Sequence, residues 1–66
     1  MAIHKVIEVI SQSEKSWEDA AHQAVKDAAK TVKQIRAIDI EHFSATVEKD
    51  RIVNYRVNAK ITFEVR

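Results

Sequence analysis

From Val53 to Val65 the chain alternates without a break. Val53, Tyr55, Val57, Ala59, Ile61, Phe63 and Val65 are apolar, and Asn54, Arg56, Asn58, Lys60, Thr62 and Glu64 are polar. Period-2 alternation defines a strand with one buried face and one wetted face. The pattern predicts a strand over 51–66. At ~3.4 Å per residue it would run about 45 Å, whereas ordinary strands hold about 5–6 residues. A chain of 66 residues buries only about 60% of its extended surface, so its own core is marginal. Such chains are stabilised by disulfides, a metal or self-association. There is no Cys, which removes the first option and all thiolate chemistry.

The remaining segments decide what can cover that apolar face. Residues 2–10 predict a first strand. Ile3, Ile7 and Val9 share one face with Lys5 among them, and His4, Val6, Glu8 and Ile10 share the other. The second face is also partly apolar, so it too is expected to be covered. Ser16 suits a helix N-cap, with Glu18 and Asp19 at the positive helix end and Asp19 placed for a short-armed capping box. Trp17, Ala21, Ala24, Ala28, Val32 and Ile35 then recur at three- and four-residue spacing, with Ala20, Val25 and Ala29 widening the stripe. A helix is predicted over 17–34, slim enough to lie close to a sheet. It would span about 27 Å, too short to cover the long strand.

A second strand is predicted over 36–46. Ile38 and Ile40 face one way; Ala37, Asp39, Glu41 and Phe43 face the other. The turn near Val47–Asp50 lacks the Asn-Gly or Asp-Gly signature, which favours a longer or bulged loop. The expected class is α+β, β-α-β-β, in one domain over 1–66. A three-stranded antiparallel sheet in the order β1-β3-β2 wraps one helix, and the excess strand length calls for an oligomer.

Composition narrows function. With 11 basic and 10 acidic residues, the net charge is +1, and no basic run reaches five residues. Neither nucleic acid nor an anionic membrane is expected as a partner. No apolar run approaches the ~20 residues of a spanning helix. The N-terminus lacks the apolar core of a signal peptide, which leads us to expect a cytoplasmic protein. Gly and Pro are both absent, so no Gly-rich phosphate cradle can form. No Ser or Thr has an evident base partner and no carboxylate pair stands out, so no catalytic residues are assigned and no enzyme is expected. His4, His22 and His42 lack the short spacings of zinc ligands, and no metal site is assigned. Asp39, Glu41 and His42 read as an exposed polar strand, with a cation on an assembly axis as the sharper alternative.

The residues also resemble a known family. Ser13, the run Ser16-Trp17-Glu18-Asp19-Ala20-Ala21 and Ala24, with Ala28, Thr31 and Val32 behind them, carry the resemblance. So do Ile35-Arg36 and the block from Val53 to Asn58, followed by Lys60, Ile61 and Phe63. In these the chain resembles the dodecins, small flavin-binding proteins of β-α-β-β fold that assemble as hollow dodecamers. The resemblance implies a homododecameric shell that stores a small molecule, with riboflavin or FMN as the family's cofactor. In flavin-binding members a Trp directly after the Ile35-Arg36 segment stacks on flavin across a two-fold axis, and a Gln after the strand-three Tyr bonds the ring. Those positions are Ala37 and Arg56. Alanine has no π-face, and Arg offers donors but no acceptor. Trp17 belongs to the shared part of the pattern, where its expected role is packing.

Ala37, Arg56, Tyr55 and Phe43 are therefore the candidate pocket positions. Arg56 can hold an anionic ligand or phosphate, or pair with Asp39 or Glu41. Lys60 and Arg36 carry the same two readings. Three functions compete: a dodecin-like store with weakened or lost flavin binding, a working flavin store relying on residues such as Phe43 or Tyr55, and a ligand-free shell or partner-binding protein.

Overall fold

The computed structural model describes residues 2–65. Its elements are β1 (Ile3–Ser13), α1 (Trp17–Ala28), β2 (Ile35–Glu48) and β3 (Arg51–Val65). The strands form one antiparallel sheet in the order β1-β3-β2. Class, element order and strand order all match the sequence reading.

The core lies where α1 crosses the middle of β3. Ala20 and Ala24 of the helix and Val57, Ala59 and Ile61 of the strand are buried. Small helical side chains permit that close approach. Cross-strand partners share a face, so Ile61 stands in a row with Ile7 on β1 and Ile38 on β2. Beyond this row the apolar face opens. Val53, Tyr55, Phe63 and Val65 are only half-buried, and Ile3 is 62% exposed. The chain extends 51 Å along its long axis and only 14 Å along its short one. A 12-residue helix spans about 18 Å and leaves both flanks of the sheet open.

That helix is shorter than the one expected over 17–34. Lys30 and Thr31 donate to the carbonyls three residues back, Asp27 and Ala28, at 3.1 Å each. The tightened turn ends the helix without a Gly. Val32 and Ile35 thus leave the helical stripe, and Ile35 opens β2. Gln34 makes the junction in left-handed backbone (φ 62°), and its carbonyl accepts from the Glu64 amide at 3.0 Å. At the other end Ser16 caps as expected, its hydroxyl accepting from the Asp19 amide at 2.9 Å. The Asp19 carboxylate, however, turns to Ser13 instead of closing a capping box.

Register shifts in β2 overturn two details. Between Ile40 and His42 the pairing skips Glu41. Such a bulge flips every later side chain. Phe43 therefore pairs with Val57 on the helix side, together with Ile38 and Ile40 rather than opposite them. The hairpin also differs. Glu48 pairs with Arg51, so the loop is the two residues Lys49 and Asp50, with φ values of 51° and 64°. The irregularity expected in the loop lies instead at the Thr46–Val47 register shift. Two positive φ values are the type I′ signature, usually filled by Asn-Gly. A left-handed conformation costs an ordinary L-residue roughly 1–2 kcal/mol. The double substitution Lys49→Asn, Asp50→Gly is expected to stabilise the protein by about 1 kcal/mol in urea unfolding. A loss of stability would contradict this turn geometry.

Candidate functional site

An aromatic cluster forms where the helix begins. The cap at Ser16 starts α1 at Trp17 over the sheet, and the bulge at Glu41 brings Phe43 to the same side. The Trp17 ring meets Tyr55 edge-on at 4.8 Å and 75°, and Phe43 at 6.2 Å and 85°. Its indole N–H donates to the Ser44 carbonyl at 2.8 Å. Edge-to-face pairs of this kind contribute about 0.5–1.5 kcal/mol each beyond buried area. Trp17 is thus a packing residue, whereas Phe43 leaves 63% of its surface exposed.

The opposite face of the sheet holds the other two candidates. Arg56 pairs in register with Gln12 on β1 and Ser44 on β2. Ala37 is exposed and pairs with Thr62, six positions along β3 from Arg56 or roughly 20 Å at strand rise. Within one chain, then, Tyr55 and Phe43 lie together on the helix side. Arg56 lies on the far face, and Ala37 lies toward the other end.

The polar side chains sort differently from the sequence expectation. Glu41, freed by the bulge, meets Lys60 at 3.4 Å. Arg36 meets Glu64 at 3.3 Å. Both pairs are partly solvated and contribute at most about 1 kcal/mol. Neither Asp39 nor Glu41 pairs with Arg56; the Arg56 Nε is buried and unpartnered. His22 approaches Glu18 at 3.9 Å on the solvated helix face. Among the described residues, no three His, Cys, Asp or Glu side chains gather as a metal-binding group.

Several clefts fall outside the expected positions, one of about 670 Å³ beside the hairpin at Glu48, Lys49, Arg51, Ile52 and Val53. A second of about 510 Å³ lies between α1 and β1, lined in part by Ile7, Val9, Ala24, Ala28 and Val32. Another of about 400 Å³ lies on the far face, lined by Glu8, Ile10, Glu41, His42 and Asn58 among others. The wall of the cleft between α1 and β1 runs along the helix to Ala28 and continues through Thr31 and Val32. The only sequence signal for it was the apolar second half of the predicted helix stripe.

Ser13, Ser16 and Asp19 tie β1 to the helix. The Ser13 hydroxyl donates to the Asp19 carboxylate at 2.5 Å and accepts from the Lys15 amide at 2.9 Å. The Ser13 bond, helped by the charge of Lys15, holds the Asp19 carboxyl below its ordinary value against an opposing desolvation. A carboxyl depressed by folding stabilises above its unfolded pKa, and that contribution fades as pH falls through the folded value. Ser13→Ala is therefore expected to destabilise most at pH 7. The deficit should narrow below about pH 4, leaving a residue from the lost Lys15 bond. A deficit independent of pH in urea melts would contradict the assignment.

One helix laid across a β1-β3-β2 antiparallel sheet, with open apolar flanks, defines a small α+β module. Comparison with known proteins gives the family. The dodecin sequence profile matches residues 3–66, and the chain belongs to the dodecin family. Calcium dodecin of Mycobacterium tuberculosis is 33% identical over all of this chain and 93% of its own length. The crystal structure of that calcium-chelating antigen superposes with a TM-score of 0.84, covering 97% of this chain and 91% of the other. A variant of the Thermus thermophilus dodecin superposes with a TM-score of 0.94 at 21% identity, over 100% and 98% of the two chains. The Streptomyces coelicolor dodecin gives 0.94 at 20% identity, over 98% and 93%. The last two likenesses establish the fold. Among the described residues no helix is long and apolar enough to cross a membrane.

Proposed function

We propose that this chain assembles with copies of itself into a dodecin-type shell that stores a small molecule without turnover, and that its affinity for flavin is weakened or lost. Family membership supports an oligomeric storage role. The uncovered flanks of the sheet support assembly, because isolated chains would leave Ile3 and Phe43 in water.

The loss of flavin affinity rests on one observation. The protein has a single Trp, and Trp17 is held on the helix side by Tyr55 and the Ser44 carbonyl. The position that the family resemblance assigns to the stacking ring is Ala37, on the other side of the sheet. The rings of Trp17, Phe43 and Tyr55 all lie on the helix side, away from that position. Arg56 likewise lacks the acceptor that a Gln amide offers the flavin edge. The residues present do not fit the family's flavin site.

A second reading is favoured by the exposed ring of Phe43 beside Trp17. There the aromatic cluster itself, with Tyr55, would sequester riboflavin or FMN. Riboflavin fluorescence separates the two. We expect no quenching at low micromolar protein and a colourless preparation; quenching or a yellow protein would establish the second reading. A ligand-free shell is the remaining reading, and a small molecule retained in native mass spectrometry would exclude it.

A further inference from the structure

Arg56 lies on the polar face of β3 with its Nε buried and without a hydrogen-bond partner. A buried donor left unmade costs about 1–3 kcal/mol, and more on a charged group. Two other cations near this face are balanced, Arg36 by Glu64 and Lys60 by Glu41. Among the described residues Arg56 has no such counter-charge. Its register partners are the neutral Gln12 and Ser44, and its neighbours on the same face of β3 are Asn54 and Asn58.

A second orphan lies beside it. Thr46 pairs with Asn54 while Ser44 pairs with Arg56, so Thr46 is the diagonal neighbour of Arg56 on one face. Its hydroxyl oxygen is also buried and unpartnered. The two orphans do not satisfy each other. The Nε–H donates only, whereas the hydroxyl can turn to donate or accept. One oxygen carrying negative charge and accepting from both would satisfy two buried groups and balance the guanidinium. Charge-assisted bonds of this kind are about twice as strong as neutral ones.

We infer that Arg56 and Thr46 form the anchor of an anion-binding site, taking the carboxylate or phosphate group of the stored small molecule. The inference rests on the storage reading above and names the ligand class. Gln12 and Ser44 supply further neutral contacts at its rim. An uncharged ring stacked on a Trp is thereby replaced by an oxyanion held by a guanidinium.

Titration calorimetry on the intact assembly tests this, with inorganic phosphate in one arm and citrate in the other. Saturable binding is expected in at least one arm. Phosphate alone assigns a phosphate ester, citrate alone a carboxylate, and both a general oxyanion site. Arg56→Gln should weaken binding at least tenfold. Arg56→Lys keeps the charge and loses the fork, and should weaken it several-fold. Thr46→Val should weaken it two- to tenfold with the fold intact. No saturable heat in either arm, or equal binding by Arg56→Gln, would overturn the site. So would a crystal soaked in both anions that shows the Arg56 Nε bonded to a water or to a carboxylate of the partner subunit. Uncharged riboflavin titrated into the same preparation keeps the two ideas apart. Quenching sinks the weakened-flavin reading whether or not anions bind, and missing anion binding without quenching sinks only the site.

Discussion

The double variant Ala37→Trp, Arg56→Gln is expected to bind riboflavin and quench its fluorescence, with an affinity about a hundredfold above that of the parent. Stacking a planar ring on an aromatic side chain contributes roughly 1–3 kcal/mol. An added amide hydrogen bond contributes about 1 kcal/mol more; with positions 37 and 56 roughly 20 Å apart along one chain, it would come from a neighbouring protomer. Together these correspond to roughly 30- to 1,000-fold. Ala37 is exposed, so a larger side chain enters without displacing the core. Ala37→Trp alone should recover most of the gain, because the ring supplies the platform. Arg56→Gln alone should recover little, because a hydrogen bond without a platform holds the ring loosely. A double variant that binds no better than the parent would mean that positions 37 and 56 do not line the ligand site in this chain.

Ile61→Ala is expected to cost about 2–5 kcal/mol, the range for removing a buried branched side chain and leaving its cavity. Ile61 is fully buried and joins Ile7 and Ile38 in the row beneath the helix. The alanines of the helix cannot collapse into the space it leaves. In a domain this small each kcal/mol shifts Tm by about 4–8 °C, so the loss amounts to roughly ten degrees or more. The comparison must be made at one protomer concentration, because any self-association would contribute to apparent stability. The exposed Val47, truncated to Ala, serves as the control and should change stability by less than about 1 kcal/mol. Equal losses at both positions would contradict the placement of the core.

The architecture was legible because its signals are periodic. Alternation from Val53 to Val65 gives β3, and the Ser16 cap followed by the alanine stripe gives α1. What stayed hidden was every departure from period. Ile38 to Phe43 reads as a continuous strand, and nothing in those six residues announces that Glu41 is skipped. That one bulge moves Phe43 to the helix side and leaves Glu41 beside Lys60 rather than Arg56, one of the pairings the sequence allowed. The helix end was hidden for a related reason. Val32 continues the apolar spacing, but the chain tightens at Lys30 and Thr31 to reach the sheet at Ile35. The hairpin carries no Asn-Gly signal, because Lys49 and Asp50 hold the left-handed backbone themselves. At the candidate pocket, the assignment of the stacking position to Ala37 comes from the family resemblance alone. The commitment of Trp17 to Tyr55 and Ser44 took three dimensions.

The opening feature of the sequence was a strand too long for its own helix, and the observed helix is shorter still, 12 residues against a strand of 15. That excess of strand over helix calls for self-association. Sedimentation velocity of the purified protein at micromolar concentration tests it most directly. We predict one dominant species near twelve protomers, as family membership implies. A stable monomer under those conditions would contradict self-association.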